Sequence, residues 1–184
     1  IAFMTAFGES LKLPTTVDEV GNVIIKKPAT AGMEDRQTIV MQSHLDMVHQ
    51  KNGDTVFDFD KQGIDMFVEG DWEKAKGTTL GADNGIGVAA IMAVLSSTDI
   101  AHPAIEALFT IDEETGMTGA LSLKGGLLDG QILLNLDTEE DNELTIGCAG
   151  GVDITVQATY EAQAATQGTG FRISVKGLSG GHSG

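Results

Sequence analysis

The stretch TIVMQSHLDMV, residues 38–48, begins as a short apolar run and then sets His44 and Asp46 one residue apart. A run of this length with β-branched residues reads as a strand covered on both faces. Side chains two apart on a strand point the same way, so His44 and Asp46 can touch. The carboxylate can then accept the proton of one ring nitrogen and leave the other free for a metal ion, the usual support of a metal-bound histidine. Taken alone, the pair reads more simply as a histidine satisfied by a neighbouring acid.

Working outward, two further apolar runs have strand length, IEALFTID at 105–112 and QILLNLD at 131–137. Between the first and second strands lies NGIGVAAIMAVLSS (84–97), a helix rich in Ala, Ile and Met, and between the second and third GMTGALSLKG (116–125) forms a shorter one. Ahead of them, IAFMTAFGESLKL (1–13) has helical spacing, and VGNVIIKKP (20–28) reads as a turn and a short strand closed by Pro28. Strands alternating with helices predict an α/β layered sheet. Polar residues collect where the strands end: His44 and Asp46, then Asp112, Glu113 and Glu114, then Asp137. Open α/β sheets bind ligands outside the carboxyl ends of their strands.

After IGCAGG (146–151) the pattern changes. VDITVQATYEA (152–162) and GFRISVKGLS (170–179) alternate apolar and polar residues, as half-exposed antiparallel strands do. Two domains are expected, 1–151 and 152–184.

Eleven basic residues against twenty-seven acidic ones give a net charge of −16. Such a chain repels phosphate backbones and anionic lipid, so neither nucleic acid nor a membrane is expected as a partner. Acids gathered in a cleft would instead attract cations. Cys148 is the one cysteine, which rules out an internal disulfide and fits a reducing cytosol. With no signal peptide or apolar run of membrane-spanning length, a cytoplasmic location is expected, although Ile1 is not an initiator residue.

Asp83 stands in GTTLGADNGIG (77–87), at the mouth of the Ala-rich helix. A glycine-rich loop before a helix suggests a phosphate cradle, but the spacing fits neither nucleotide signature and an acid at its centre repels phosphate. A helix cap is the other reading of Asp83. Glu113 and Glu114, in TIDEETG (110–116), form either a solvated turn or a divided pair, one binding metal while the other faces a water. Confinement beside another carboxylate raises proton affinity, which suits a residue that takes a proton and returns it. Asp137 is a turn acid or a further ligand, and Glu139 and Glu140 after it read as solvated. One supported histidine with three or four carboxylates is a nitrogen and oxygen set suited to Zn²⁺ or Mn²⁺.

Six stretches in register, SHLDMV, GTTLGADNGIG, DEETGM, NLDTEE, GCAGG and KGLSGGHSG, closely resemble the aminoacyl-histidine dipeptidases, a family of dinuclear zinc metallopeptidases. The resemblance spans essentially the whole chain. It implies a zinc-peptidase-like α/β sheet, here a partial catalytic domain, followed by the first strands of an α+β lid and dimerisation domain. It implies hydrolysis of unblocked dipeptides, Xaa-His types included, by a zinc-activated water. In its terms His44 and Asp137 bind one zinc, Asp83 bridges both and Glu114 binds the other. Glu113 is the general base and acid, Asp46 orients His44, and His182 helps hold the substrate carbonyl oxygen. It further implies a cis peptide bond from Asp83 to Asn84, Mn²⁺ or Co²⁺ as substitutes for zinc, and a homodimer formed through the lid.

The family takes a second metal histidine from a final segment that has no counterpart here. The chain is thus expected to be an internal piece of a longer enzyme, without the first helix, most of the lid or that ligand. His49 and His102 match no ligand context and are expected in surface loops. Two other readings stand beside this one: a related amidase acting on N-acyl amino acids, and a non-catalytic metal-binding domain. Glu113 favours an enzyme, since a binder needs no second acid beside Glu114.

Overall fold

The computed structural model describes residues 1–138, 142–147, 150, 152, 154–161, 164 and 167–177. The chain divides into two compact units, Ile1–Glu139 and Glu140–Gly184, and each is described by itself.

The first unit is built on a five-stranded sheet. Its strands are β1 (Thr15–Val17), β2 (Val23–Lys27), β3 (Ile39–His44), β6 (Ile105–Thr110) and β7 (Ile132–Asn135), in the order β1-β2-β6-β3-β7. The β2–β6 pair is antiparallel, while β3 runs parallel to both β6 and β7, with His44 opposite Thr110 and Gln42 opposite Asn135. A separate hairpin, β4 (Met66–Glu69) and β5 (Trp72–Ala75), lies within the connection from β3 to β6.

Both faces of the sheet are covered. On one, α1 (Ala2–Ser10) and α2 (Ala82–Ser96) supply Met4, Ile91 and Leu95, which join Val23, Ile25, Ala107 and Phe109 in one buried cluster. On the other, Ile24, Val40 and Leu108 pack beneath Leu123, Leu127 and Leu128, which follow the short helices α3 (Glu113–Gly116) and α4 (Thr118–Ser122). Strand alternation sends neighbouring residues to opposite sides, so Ile24 and Ile25 serve different layers. β6 is buried at every position because it lies between two strands, with α1 and α2 over one face and the segment after α4 over the other.

Two differences from the sequence reading have physical causes. β7 was expected to be covered on both faces, yet Leu133 is 56% exposed, because this edge strand has only β3 beside it. His102, expected at the surface, is buried at 4% exposure. It is held by Thr30, whose backbone N–H donates to the His102 carbonyl (3.0 Å) and whose hydroxyl oxygen accepts the His102 backbone N–H (2.9 Å). His49 is exposed and meets Phe59 edge-on, ring centres 5.5 Å apart.

In the second unit the described residues form no helix or strand. The alternating segments 152–162 and 170–179 therefore do not pair as strands among the described residues. Their apolar members, Ile154, Val156, Tyr160, Phe171 and Ile173, are all more than 80% exposed. An amphipathic strand gains little until its apolar face is covered by further strands or a helix, and no such cover is formed over these residues.

Candidate metal centre

Three parallel strands deliver the site. β3 ends in His44, the turn after β6 carries Glu113 and Glu114, and Asp137 follows β7 by two residues. Because β3 lies between β6 and β7, their carboxyl ends lie side by side and the three polar groups converge. Asp83 comes from the start of α2, which packs on the same strands.

His44 is 1% exposed. Its Nδ1 lies 2.9 Å from the main-chain carbonyl of Asp46 and 3.4 Å from the Asp46 carboxylate. Both neighbours are oxygen acceptors, so Nδ1 carries the proton and Nε2 faces the other carboxylates. Nε2 is 3.1 Å from Asp83 Oδ1, 3.7 Å from Asp137 Oδ1 and 4.0 Å from Glu113 Oε2. The Asp46 carboxylate also accepts the backbone N–H of Glu113 (3.0 Å) and of Glu114 (3.1 Å), fixing the turn that bears both acids. Of these contacts, only the one with the imidazole ring was expected.

Two overlapping sets of potential ligand atoms result, His44 with Asp83 and Asp137, and His44 with Glu113 and Glu114, each within 4.8 Å. Burial opposes a charge on His44, but the nearby carboxylates, Asp137 foremost and then Asp83 and Asp46, outweigh it and raise its pKa above the ordinary histidine value. Burial likewise raises the pKa of Glu113; the charges of Asp137, Glu114 and Asp46 add to this, and His44 opposes it.

The backbone at Asp83 and Asn84 is non-helical, and the Asp83 carboxylate lies against His44. The Asp83–Asn84 peptide bond is cis. His182 lies outside the described residues, as do Glu139 and Glu140. A cleft of about 200 Å³ adjoins the cluster, lined by Glu113 and Asp137 together with Leu108, Ile111, Leu123 and Leu133.

Sequence reasoning passed over two amides here. Asn84 donates its Nδ2 to Asp137 Oδ1 (2.7 Å) and to the Leu136 carbonyl (2.9 Å), and Asn135 accepts the Asp137 backbone N–H on its side-chain oxygen (3.0 Å). The spacing Asn135-Leu-Asp137 repeats that of His44-Leu-Asp46 and was the available signal.

No model of a protein family matches the chain. The chain is 52% identical over 168 residues to the cytosol non-specific dipeptidase of Escherichia coli (strain K12), covering 91% of this chain and 35% of that protein. Among solved structures, the aminoacylhistidine dipeptidase of Vibrio alginolyticus is 52% identical with a TM-score of 0.74, over 76% of this chain and 28% of that one. A tripeptidase from Staphylococcus aureus, 25% identical, gives a TM-score of 0.63 over 76% of this chain and 38% of that one. The chain thus spans about a third of the length of the curated dipeptidase it matches. By sequence over 91% of its length and by fold over 76%, the chain matches part of the cytosol non-specific and aminoacylhistidine dipeptidases.

Proposed function

We propose that the protein containing this chain hydrolyses unblocked dipeptides, Xaa-His types among them, at a site that holds two zinc ions. The observation that carries this reading is the meeting of one buried imidazole with four carboxylates whose ligand atoms lie within 4.8 Å in two overlapping sets. The donor set fits the ion: imidazole and carboxylate are the ligands zinc takes in hydrolytic sites, and with Nδ1 committed to Asp46, Nε2 of His44 is the nitrogen an ion would take, in exchange for its proton. When bound, zinc supplies a water of lowered pKa and draws electron density from the scissile carbonyl.

The roles of the chain's own residues follow in this reading. His44 and Asp137 would hold one ion, Glu114 the other, and Asp83 would serve both. Glu113, its proton affinity raised by burial, takes a proton from the attacking water and passes it to the leaving amine. Asp46 orients His44 and fixes the turn that aims Glu113. His182 contributes a donor to the carbonyl oxygen as it gains charge. The catalytic domain is taken as 1–151 and the start of the lid as 152–184, with two copies joined through the lid. A cytoplasmic location accords with the cytosolic relative and with the absence, among the described residues, of any helix long and apolar enough to cross a membrane.

Substrate profiling tests the reaction class. Zinc-loaded intact protein is expected to cleave free Xaa-His dipeptides and to leave their N-acetyl forms untouched. Preference for N-acyl amino acids would transfer the site to the deacylase reading, and inertness toward both would leave a metal-binding domain.

A further inference from the structure

We infer that Asn84 is a positioning residue that aims the Asp137 carboxylate at the metal, with Asn135 steadying the same aspartate from the opposite side. The inference rests on the proposed reading of Asp137 as a zinc ligand and adds to it a residue to which that reading gives no part.

Asn84 is 4% exposed, and its two amide hydrogens are committed to neighbouring acceptors, Asp137 Oδ1 at 2.7 Å and the Leu136 carbonyl at 2.9 Å. The opposite orientation of the amide would set its oxygen against both of those acceptors, so the donors face Asp137. The Asn84 side-chain oxygen is buried and has no hydrogen-bond partner among the described residues. A polar atom left unsatisfied costs free energy, and its retention beside a ligand set is explained by the two bonds made at the other end of the amide.

Gly87 leaves the amide its room. A Cβ at this position would stand 2.2 Å from Asn84 Oδ1, 2.4 Å from Ser43 Oγ and 2.6 Å from the Leu136 carbonyl oxygen, so a side chain there would displace Asn84. On the far side, Asn135 Oδ1 accepts the Asp137 N–H at 3.0 Å, while its own Nδ2 donates to Gln42 Oε1 at 2.5 Å. Gln42 in turn donates to the Thr110 hydroxyl at 3.0 Å, tying the strand ends together.

The chemistry of an amide suits this positioning role. A lysine or arginine beside Asp137 would neutralise it and compete with a cation, whereas a neutral donor fixes one carboxylate oxygen and leaves the full negative charge for the metal.

The test uses the intact gene product, stripped of metal and titrated with Zn²⁺ against a chromogenic chelator. Asn84→Ala is expected to weaken one of two zinc sites about 10- to 100-fold and to leave the other within about threefold, with the thermal midpoint of the metal-free protein little changed. Two sites of wild-type affinity in Asn84→Ala would overturn the inference. So would a parallel weakening of both sites with a lowered midpoint, since that is what loss of packing alone produces. Should Asn84→Ala fail to fold, Asn135→Ala at the open edge of the sheet decides, with a smaller shift at the same site expected and no shift overturning the inference. A wild-type protein that takes up no zinc would defeat the underlying reading itself, and that outcome is visible before any variant is made.

Discussion

Two places on the same sheet gather acidic side chains, one buried and one at the mouth of a cleft, and they are satisfied in opposite ways. Near the start of β6, Glu106 is 2% exposed; the Lys26 ammonium lies 2.6 Å from one of its oxygens, and the other accepts the N–H groups of Asp129 (2.8 Å) and Gly130 (2.9 Å). At the far end, among the described residues, the ion pairs of Asp46, Asp83, Glu113 and Asp137 all run to one imidazole, His44. The first acid is neutralised from within the chain and serves the fold. The second group carries a surplus of negative charge that a cation from outside can balance, and such a surplus is costly to hold in a fold without one.

The largest effect expected from breaking this contrast is on turnover. Glu113→Gln in the intact protein should lower kcat at least about 100-fold while zinc content, read by elemental analysis, stays near the wild-type value. A matching loss of zinc would make Glu113 a ligand and not the proton carrier.

At the neutralised end the effect is on stability. Glu106→Leu removes the acceptor of two backbone N–H groups and the partner of Lys26, and should lower the unfolding free energy by about 3 kcal/mol in urea titration. Zinc uptake by the folded fraction should not change. If zinc uptake falls with stability, the two regions are not independent.

A smaller effect is expected of Gly87→Ala, where the added methyl enters space held by Asn84 and Ser43. A cost of about 2 kcal/mol from overpacking is expected in thermal denaturation. The smallest effect belongs to an exposed pair. Lys124 reaches Glu19 at 2.6 Å with both side chains mostly in solvent, and Lys124→Ala should alter stability by less than about 0.5 kcal/mol.

What could be read from the sequence follows the same division. β3, β6 and α2 were legible because burial demands apolar runs of definite length, and the acids and His44 were legible because they interrupt those runs at strand ends. β1 was missed because three residues, two of them threonine, carry no pattern. The β4–β5 hairpin was missed because its exposed face follows no burial pattern; Met66, Val68 and Trp72 are all more than half exposed. Asn84 and Asn135 were missed because an uncharged amide acquires a role only through what it touches, and Leu136 and Asp137 lie more than fifty residues from Asn84 in the chain. The burial of His102 was hidden for the same reason, since Thr30 is distant in sequence.

The central claim, that His44 and the acids around it form a zinc site, is tested most directly by calorimetric titration of the metal-free intact protein with Zn²⁺, alongside His44→Ala and Asp83→Asn. Saturable binding in the wild type, weakened in both variants by more than the Asn84→Ala change, is the predicted result. Binding that is absent, or unchanged by either substitution, would contradict it.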